Sequence, residues 1–357
     1  MRPLLATVDL SAIRHNHALV RARAAGQPSF AVVKANAYGH GVREVVCALE
    51  EADGFAVACL EEAGEVRGLN ARARILVLQG CLSADEYPLA AQLDLDVVVQ
   101  SAEQAEALLA TRLRQPLRVW LKLDSGMHRL GFAAAELRRW HARLSGAAQV
   151  GEINLISHFA CADLPGHPLT AQQIEAFRSL DDVPFAQRSL ANSAAILALP
   201  EARLGWLRPG IMLYGASPFA DRAAAAVGVG PALRRSGALI AVREVAAGDS
   251  VGYGAGWVAP RPTRIGTLSC GYADGYPRTA PPGTPLLVDG QRVPLVGRVS
   301  MDMLTVDLSA VPQARVGTPV ELWGAGLPVD EVAAACGTIG YELLSQLAAR
   351  VPRRHRY

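Results

Sequence analysis

The chain has almost no charge bias: 35 basic and 33 acidic side chains leave a formal +2 over 357 residues. That field is too weak for a nucleic-acid-binding surface, so no nucleic-acid partner is expected. No apolar run approaches the roughly 20 residues that span a bilayer, and the start "MRPLLATVDL" lacks an apolar stretch of signal-peptide length. A cytoplasmic location without a membrane partner is the expectation. Six cysteines (Cys47, Cys59, Cys81, Cys161, Cys270 and Cys336) never form a CxxC pattern, and the eight histidines contain no HExxH pair. Zinc binding, a redox pair and metal catalysis are therefore without support, and reduced thiols are expected. The one basic cluster, "RVPRRHRY" at the C-terminal end, reads as a solvated tail. Apolar residues are plentiful instead, and their 51% share allows a large α/β unit, alone or with a smaller companion.

Short apolar runs recur with helical segments between them: "FAVVK", "GFAVA", "RILVLQG", "LDVVVQ", "LRVWLKLD", "INLISHFA", "QRSLANS" and "GWLRPGIMLYG". Helix signals include Ser101 with Gln104 as a capping box and the segment beginning at Ser11. Eight strand and helix alternations argue for parallel strands closed into a barrel, with a doubly wound open sheet as the competing architecture. Past about residue 220 the pattern becomes strand and turn, as in "LLVDGQRVPLVG", where Asp289 and Gly290 predict a hairpin turn. "DRAAAAVGVGP" reads as a linker. The expected division is an N-terminal strand over 1–10 joining the C-terminal domain, a barrel over 11–223, and a mainly β domain over 224–357.

Reaction chemistry in such barrels gathers at the C-terminal strand ends. Those ends collect Lys34 and Tyr38, Lys122 with Asp124 and Arg129, His158, Asn192 with Ser193, and Arg208. Each alone has a plain explanation: a surface ammonium, an ion pair, a hydrogen-bonded core histidine, a helix cap. Together, a nucleophilic amine, several cations and a loop of hydroxyl and amide donors suit an anionic cofactor that forms an imine with lysine. "GYGAG" (252–256) and "GAG" (324–326) do not link a strand to a helix in phosphate-loop order and read as turns.

The ordered series "AVVKANAYGHG", "LKLDSGMHRLGF", "SHFACAD", "ANSAA", "RPGIMLYG", "VGYGAG", "GYADGYPR" and "VGRVSMDM" resembles alanine racemases along nearly the whole chain. These are pyridoxal 5′-phosphate enzymes that interconvert L-alanine and D-alanine, for peptidoglycan supply or alanine breakdown. The resemblance implies α/β architecture with a (β/α)8 barrel followed by a smaller, mainly β C-terminal domain. It also implies a homodimer in which the partner's second domain completes each active site. Lys34 would hold the cofactor as an aldimine; its amine must be neutral to attack, which requires a pKa below the usual value of about 10.4. Tyr38, Ser193 and the backbone amides of Gly210 and Ile211 would hold the phosphate, with Asn192 beside them. Arg208, supported by His158, would approach the pyridine nitrogen as a donor. Arg129 would contact the phenolic oxygen and the substrate carboxylate. Racemisation needs a base on each face of Cα: Lys34 for D-alanine, and Tyr253 of the partner subunit for L-alanine. A phenol, with a reference pKa of about 10, needs cationic neighbours for that task. The partner's Met301 would donate its N–H to the carboxylate and narrow the pocket. Lys122 matches a position that can be carbamylated, and no metal is implied.

One departure stands out: Ala349 precedes Arg350 where some members of the family carry a phosphate-binding tyrosine. Tyr341 or a water would have to replace it, while Tyr272 and Tyr341 are expected along the substrate corridor. The rival readings are a serine or broad-specificity amino-acid racemase on the same scaffold, a barrel decarboxylase using the same cofactor, and a non-catalytic cofactor-binding protein.

Overall fold

The computed structural model of the chain describes residues 2–357. Seven parallel strands follow one another around the first sheet: β2 (Phe30–Val32), β3 (Gly54–Val57), β4 (Arg74–Val77), β5 (Asp96–Val99), β6 (Leu117–Lys122), β7 (Val150–Ile156) and β8 (Arg188–Ser189), after an initial β1 (Leu4–Asp9). β3 and β5 are buried at every position, which is why they read as continuous apolar runs rather than alternating ones. The order β2 to β8 never reverses, so the sheet has no switch point of the doubly wound kind.

Residues 207–209 close the ring as the eighth strand. Phe30 N–H donates to Leu207 O at 2.8 Å and Val32 N–H to Pro209 O at 2.9 Å, while Arg208 N–H donates to Ala191 O at 2.9 Å. The run is short because Pro209 has no N–H to continue the ladder. This closure supports the barrel over the open sheet. At its N-terminal end the barrel is filled by Phe30 and Trp206, stacked at 4.1 Å, and by the buried Asp96. Asp96 binds Arg74 at 2.5 Å, Arg118 at 2.6 Å and Trp120 Nε1 at 2.8 Å.

The later strands are β9 (Leu233–Val245), β10 (Ser250–Val251), β11 (Trp257–Val258), β12 (Thr263–Leu268), β13 (Pro285–Val288), β14 (Gln291–Val296), β15 (Leu304–Asp307), β16 (Pro319–Trp323) and β17 (Arg353–Arg356). Six of them run in the order β12-β15-β14-β13-β16-β9, and β12 returns to pair with β9, which makes a second closed sheet. β1 pairs antiparallel with β9 and parallel with β17. Asp289 and Gly290 both take positive φ between the paired Val288 and Gln291, as a two-residue hairpin of this type requires.

Local expectations shift in three places. The first helix, Leu10–Ala24, starts after Asp9, whose carboxylate accepts from Ala12 N–H at 3.1 Å; Ser11 donates to that carboxylate instead of opening the helix. Ser101 caps its helix, but the Gln104 side chain accepts from Gln100 N–H at 2.9 Å rather than from Ser101. The linker is packed, not loose: Asn16 donates to Gly230 O at 2.8 Å and accepts from Gly230 N–H at 2.9 Å.

Candidate active site

Lys34 lies two residues past the end of the first barrel strand, and the four residues after it, Ala35 to Tyr38, all have φ between 51° and 53°. They form one left-handed helical turn of residues with side chains, at a cost of about 1–2 kcal/mol each. Specific bonds hold it. Ala37 N–H donates to Val33 O at 2.8 Å and Gly39 N–H to Ala35 O at 3.0 Å. Ala35 N–H donates to Glu62 at 2.7 Å and Val42 N–H to the Asn36 side chain at 2.8 Å. The turn swings the chain away at once, leaving the lysine at the mouth of the barrel; the helix that follows, Val42–Ala48, buries Val42, Val45 and Val46.

A cavity of about 730 Å³ opens there, lined by Lys34, Tyr38, Lys122, Arg129, His158, Asn192, Ser193, Arg208, Gly210 and Ile211. Four of these residues are cations. The acids here are committed elsewhere: Glu62 binds the Ala35 and Ala58 amides, Asp124 binds the amides of Gly126 and His128 together with the His128 ring, and Glu342, which lines the cavity, accepts from the Thr338 hydroxyl and from Gln346 Nε2 at 2.7 Å. Burial, then the charge of Arg129, lowers the Lys34 pKa against an opposing pull from Glu62. Lys122 falls to about 8, through burial first and then Arg129 and Arg208. His158 lies well below the usual imidazole range for the same reasons, so its ring is neutral; its Nδ1 stands 3.4 Å from the Arg208 guanidinium.

Arg208 is buried, which lowers its pKa to about 10. It donates to Ser157 O at 2.5 Å, to the Ser189 hydroxyl and to Leu190 O at 3.3 Å, with no carboxylate among these acceptors. Beside it, Ser193 Oγ accepts from Gly210 N–H at 2.8 Å, which leaves the serine proton free to be donated. The Gly210 amide thus fixes the serine hydroxyl beside the cavity. Ile211 opens a short 3₁₀ turn, so its N–H has no partner within that turn. Gly210 also makes room: a Cβ there would stand 2.7 Å from Tyr38 Oη. Burial raises the Tyr38 pKa, which keeps the phenol a donor, and its ring stacks on Tyr214 at 4.7 Å. Asn192 lines the cavity but spends its carbonyl oxygen capping the helix Ser193–Ala198, accepting from Ala195 N–H at 3.1 Å.

Tyr253 and Met301 are not in this cavity. Both lie on the β domain, 69% and 53% exposed, and Met301 O accepts from Ala273 N–H in the loop that carries the exposed Tyr272. Tyr253 occupies a tight turn, Tyr253–Ala255, against the guanidinium of Arg298. Sequence motifs missed four contributors. Glu62, Ser157 and Ser189 serve as acceptors, and their signal is chemical: a buried arginine and a left-handed turn both need fixed acceptors. Ser157, Ser189 and Arg298 lie inside the segments "SHFACAD", "QRSLANS" and "VGRVSMDM" without a role having been read for them. Tyr341 enters the cavity from the helix Gly340–Ser345 and packs 6.1 Å from Tyr38.

Comparison with known proteins finds two family models that together cover most of the chain: "Alanine racemase, N-terminal domain" over residues 8–218 and "Alanine racemase, C-terminal domain" over 232–355. The biosynthetic alanine racemase of Pseudomonas aeruginosa is 68% identical over 358 residues, covering 100% of both chains. The crystal structure of the biosynthetic enzyme from that organism matches with a TM-score of 0.99 over 100% of both chains. A structure of alanine racemase from Bartonella henselae with covalently bound pyridoxal phosphate is 28% identical and matches with a TM-score of 0.90 over 100% of both chains.

Proposed function

The chain belongs to the alanine racemase family and interconverts L- and D-alanine; on that premise we propose that it works with pyridoxal 5′-phosphate held at Lys34, as a homodimer with shared active sites. The observation that carries this reading is the cluster of four cations around one cavity, whose acids are tied to backbone amides or, for Glu342, to Thr338 and Gln346. Such a site calls for anions, and a phosphate ester together with a substrate carboxylate supplies them. A covalently bound cofactor of this kind in the B. henselae relative supports the same choice. When bound, the group lends an electron-withdrawing ring that makes the Cα proton of alanine removable.

The residues divide the remaining work. Lys34, made more readily neutral by burial and by Arg129, supplies the amine that anchors the cofactor and then a base for the proton of D-alanine. Tyr38, Ser193 and the amides of Gly210 and Ile211 would hold the phosphate as neutral donors, Gly210 also fixing the Ser193 hydroxyl, with Asn192 beside them. Arg208, fixed by serine and carbonyl acceptors, can only donate, so it would meet the ring nitrogen without giving it a proton. His158 would hold Arg208 in place. Arg129 is assigned the substrate carboxylate, and Lys122, near neutrality at pH 8, is suited to carbamylation, which would turn a crowding cation into an anion beside Arg129.

Tyr253 of the partner subunit would be the base for L-alanine, with the partner's Met301 narrowing the pocket. Two observations support the exchange between subunits: the chain's own cavity holds neither residue, and both lie exposed on the second domain. Six unpaired thiols fit a reducing cytoplasm, and the biosynthetic relative supports D-alanine supply as the use. The test is Cα proton exchange in D₂O from each enantiomer, in wild type and Tyr253→Phe. Exchange from L-alanine should fall by roughly 10²-fold or more while exchange from D-alanine persists; an equal loss from both enantiomers refutes the assignment.

A further inference from the structure

The carboxylate of Asp274 is fully buried and gathers groups from distant parts of the chain. It accepts from Arg350 Nε at 2.7 Å, from Gly271 N–H at 2.9 Å and from the guanidinium of Arg2. Arg350 reaches further: its Nη2 donates at 2.6 Å to Asp302, the residue after Met301. Two loops are joined at this point. Tyr272 N–H donates to Ser300 O and Ala273 N–H to Met301 O, each at 3.0 Å. The contact is so close that a Cβ on Gly271 would stand 2.3 Å from Met301 O. On its other side the 271–275 loop meets the tail after helix Gly340–Ser345, where a Cβ on Gly275 would stand 2.0 Å from Gln346 O.

We propose that Arg350 is a positioning residue for the substrate: by forking between buried Asp274 and exposed Asp302, it fixes the 300–303 loop that presents Met301 to alanine in the partner's site. This rests on the shared-site reading above. Arginine suits the task because its planar group can address two carboxylates from fixed directions, whereas a lysine ammonium is a single point charge. The outer half of the fork joins side chains 42% and 53% exposed, so it adds little to folding stability. Its effect falls on where the loop sits. The proposal makes the C-terminal tail serve both sites of a dimer: Tyr341 and Ser345 line the chain's own cavity, and Arg350, a few residues on, clasps the loop lent to the other.

The test uses doubly tagged heterodimers with Lys34→Ala in one subunit and Tyr253→Phe in the other. A shared-site dimer then keeps one competent site, built from Lys34 of the second subunit and the loops of the first. Adding Arg350→Gln to the Lys34→Ala subunit, which lends the loop, should raise KM for alanine by roughly 10-fold with kcat nearly unchanged. The same change in the other subunit should leave KM within about twofold. Asp302→Asn in the lending subunit should raise KM without moving the melting temperature, and Arg350→Lys should restore KM only in part. Equal effects from either subunit, or a KM unmoved by the lending-subunit change, overturn the proposal. If the Lys34→Ala/Tyr253→Phe heterodimer is inactive beside an active tagged wild type, the shared site itself is refuted.

Discussion

Crowding four cations into one cavity should leave a measurable cost in the cofactor-free protein, and Lys122 is where it can be read. In the folded chain its pKa falls from 10.5 to about 8, burial being the largest cause and Arg129 and Arg208 the next. Each pKa unit corresponds to about 1.4 kcal/mol, so holding the ammonium in place opposes folding by about 3 kcal/mol. Between pH 8 and 10.5 the unfolded chain keeps this proton while the folded chain has lost it. Folding stability from this group therefore rises with pH across that window, and the full penalty is present below pH 8. Lys122→Met removes the charge and keeps the side chain's length. In carbon-dioxide-free buffer the variant should be more stable than wild type by about 3 kcal/mol at pH 7, with most of the gain gone by pH 10. Urea unfolding of both proteins at fixed protein concentration gives the difference directly. A wild-type-to-variant gap that is the same at pH 7 and pH 10 would refute the charge argument. Bicarbonate adds a second reading: if the amine is carbamylated, bicarbonate at pH 8 stabilises wild type and leaves Lys122→Met unmoved.

Two further outcomes are expected. Ala35 sits exposed in the left-handed turn, so Ala35→Gly should remove strain at little packing cost; after glycine's greater loss of backbone entropy, a net gain of about 0.5–1 kcal/mol in urea unfolding is expected. A loss of stability there would mean that the turn is not strained. At the opposite end of the barrel, Asp96→Asn leaves Arg74 and Arg118 without their shared counter-charge. It should cost about 3 kcal/mol of stability while leaving racemisation per folded molecule unchanged, and a parallel fall in kcat would argue against the division between a structural and a reactive end.

The barrel was legible because parallel strands covered on both faces must be apolar throughout, so "FAVVK", "GFAVA" and "LDVVVQ" stand out against their surroundings. The eighth strand carried a weaker signal, since Pro209 limits it to a few backbone bonds, and its identity rests on what pairs with Ser29 and Asn192. The left-handed turn after Lys34 could not be read from "ANAY": asparagine tolerates that conformation, but alanine and tyrosine do not favour it. It forms only because Glu62 and the Asn36 side chain satisfy the amides of Ala35 and Val42, and the Glu62 partner lies in a different helix.

Site residues were legible in proportion to how locally their chemistry is satisfied. Lys34, Arg129 and Arg208 could be picked out because several cations gather after apolar strands, although each alone has a plain explanation. Their direction of action could not, since it depends on which neighbours are already spent. The Gly210 amide shows this: the sequence offers its N–H to an anion, and only the fold reveals Ser193 Oγ 2.8 Å away as an acceptor for it. That engagement changes the chemistry of the cradle. An amide that donates to a hydroxyl leaves the hydroxyl's own proton as the outward donor, so the Ser193 O–H can turn toward an incoming oxygen while Gly210 holds the serine still. In the proposed phosphate site the Ser193 O–H would then be an adjustable donor beside the Ile211 amide, with Gly210 orienting it.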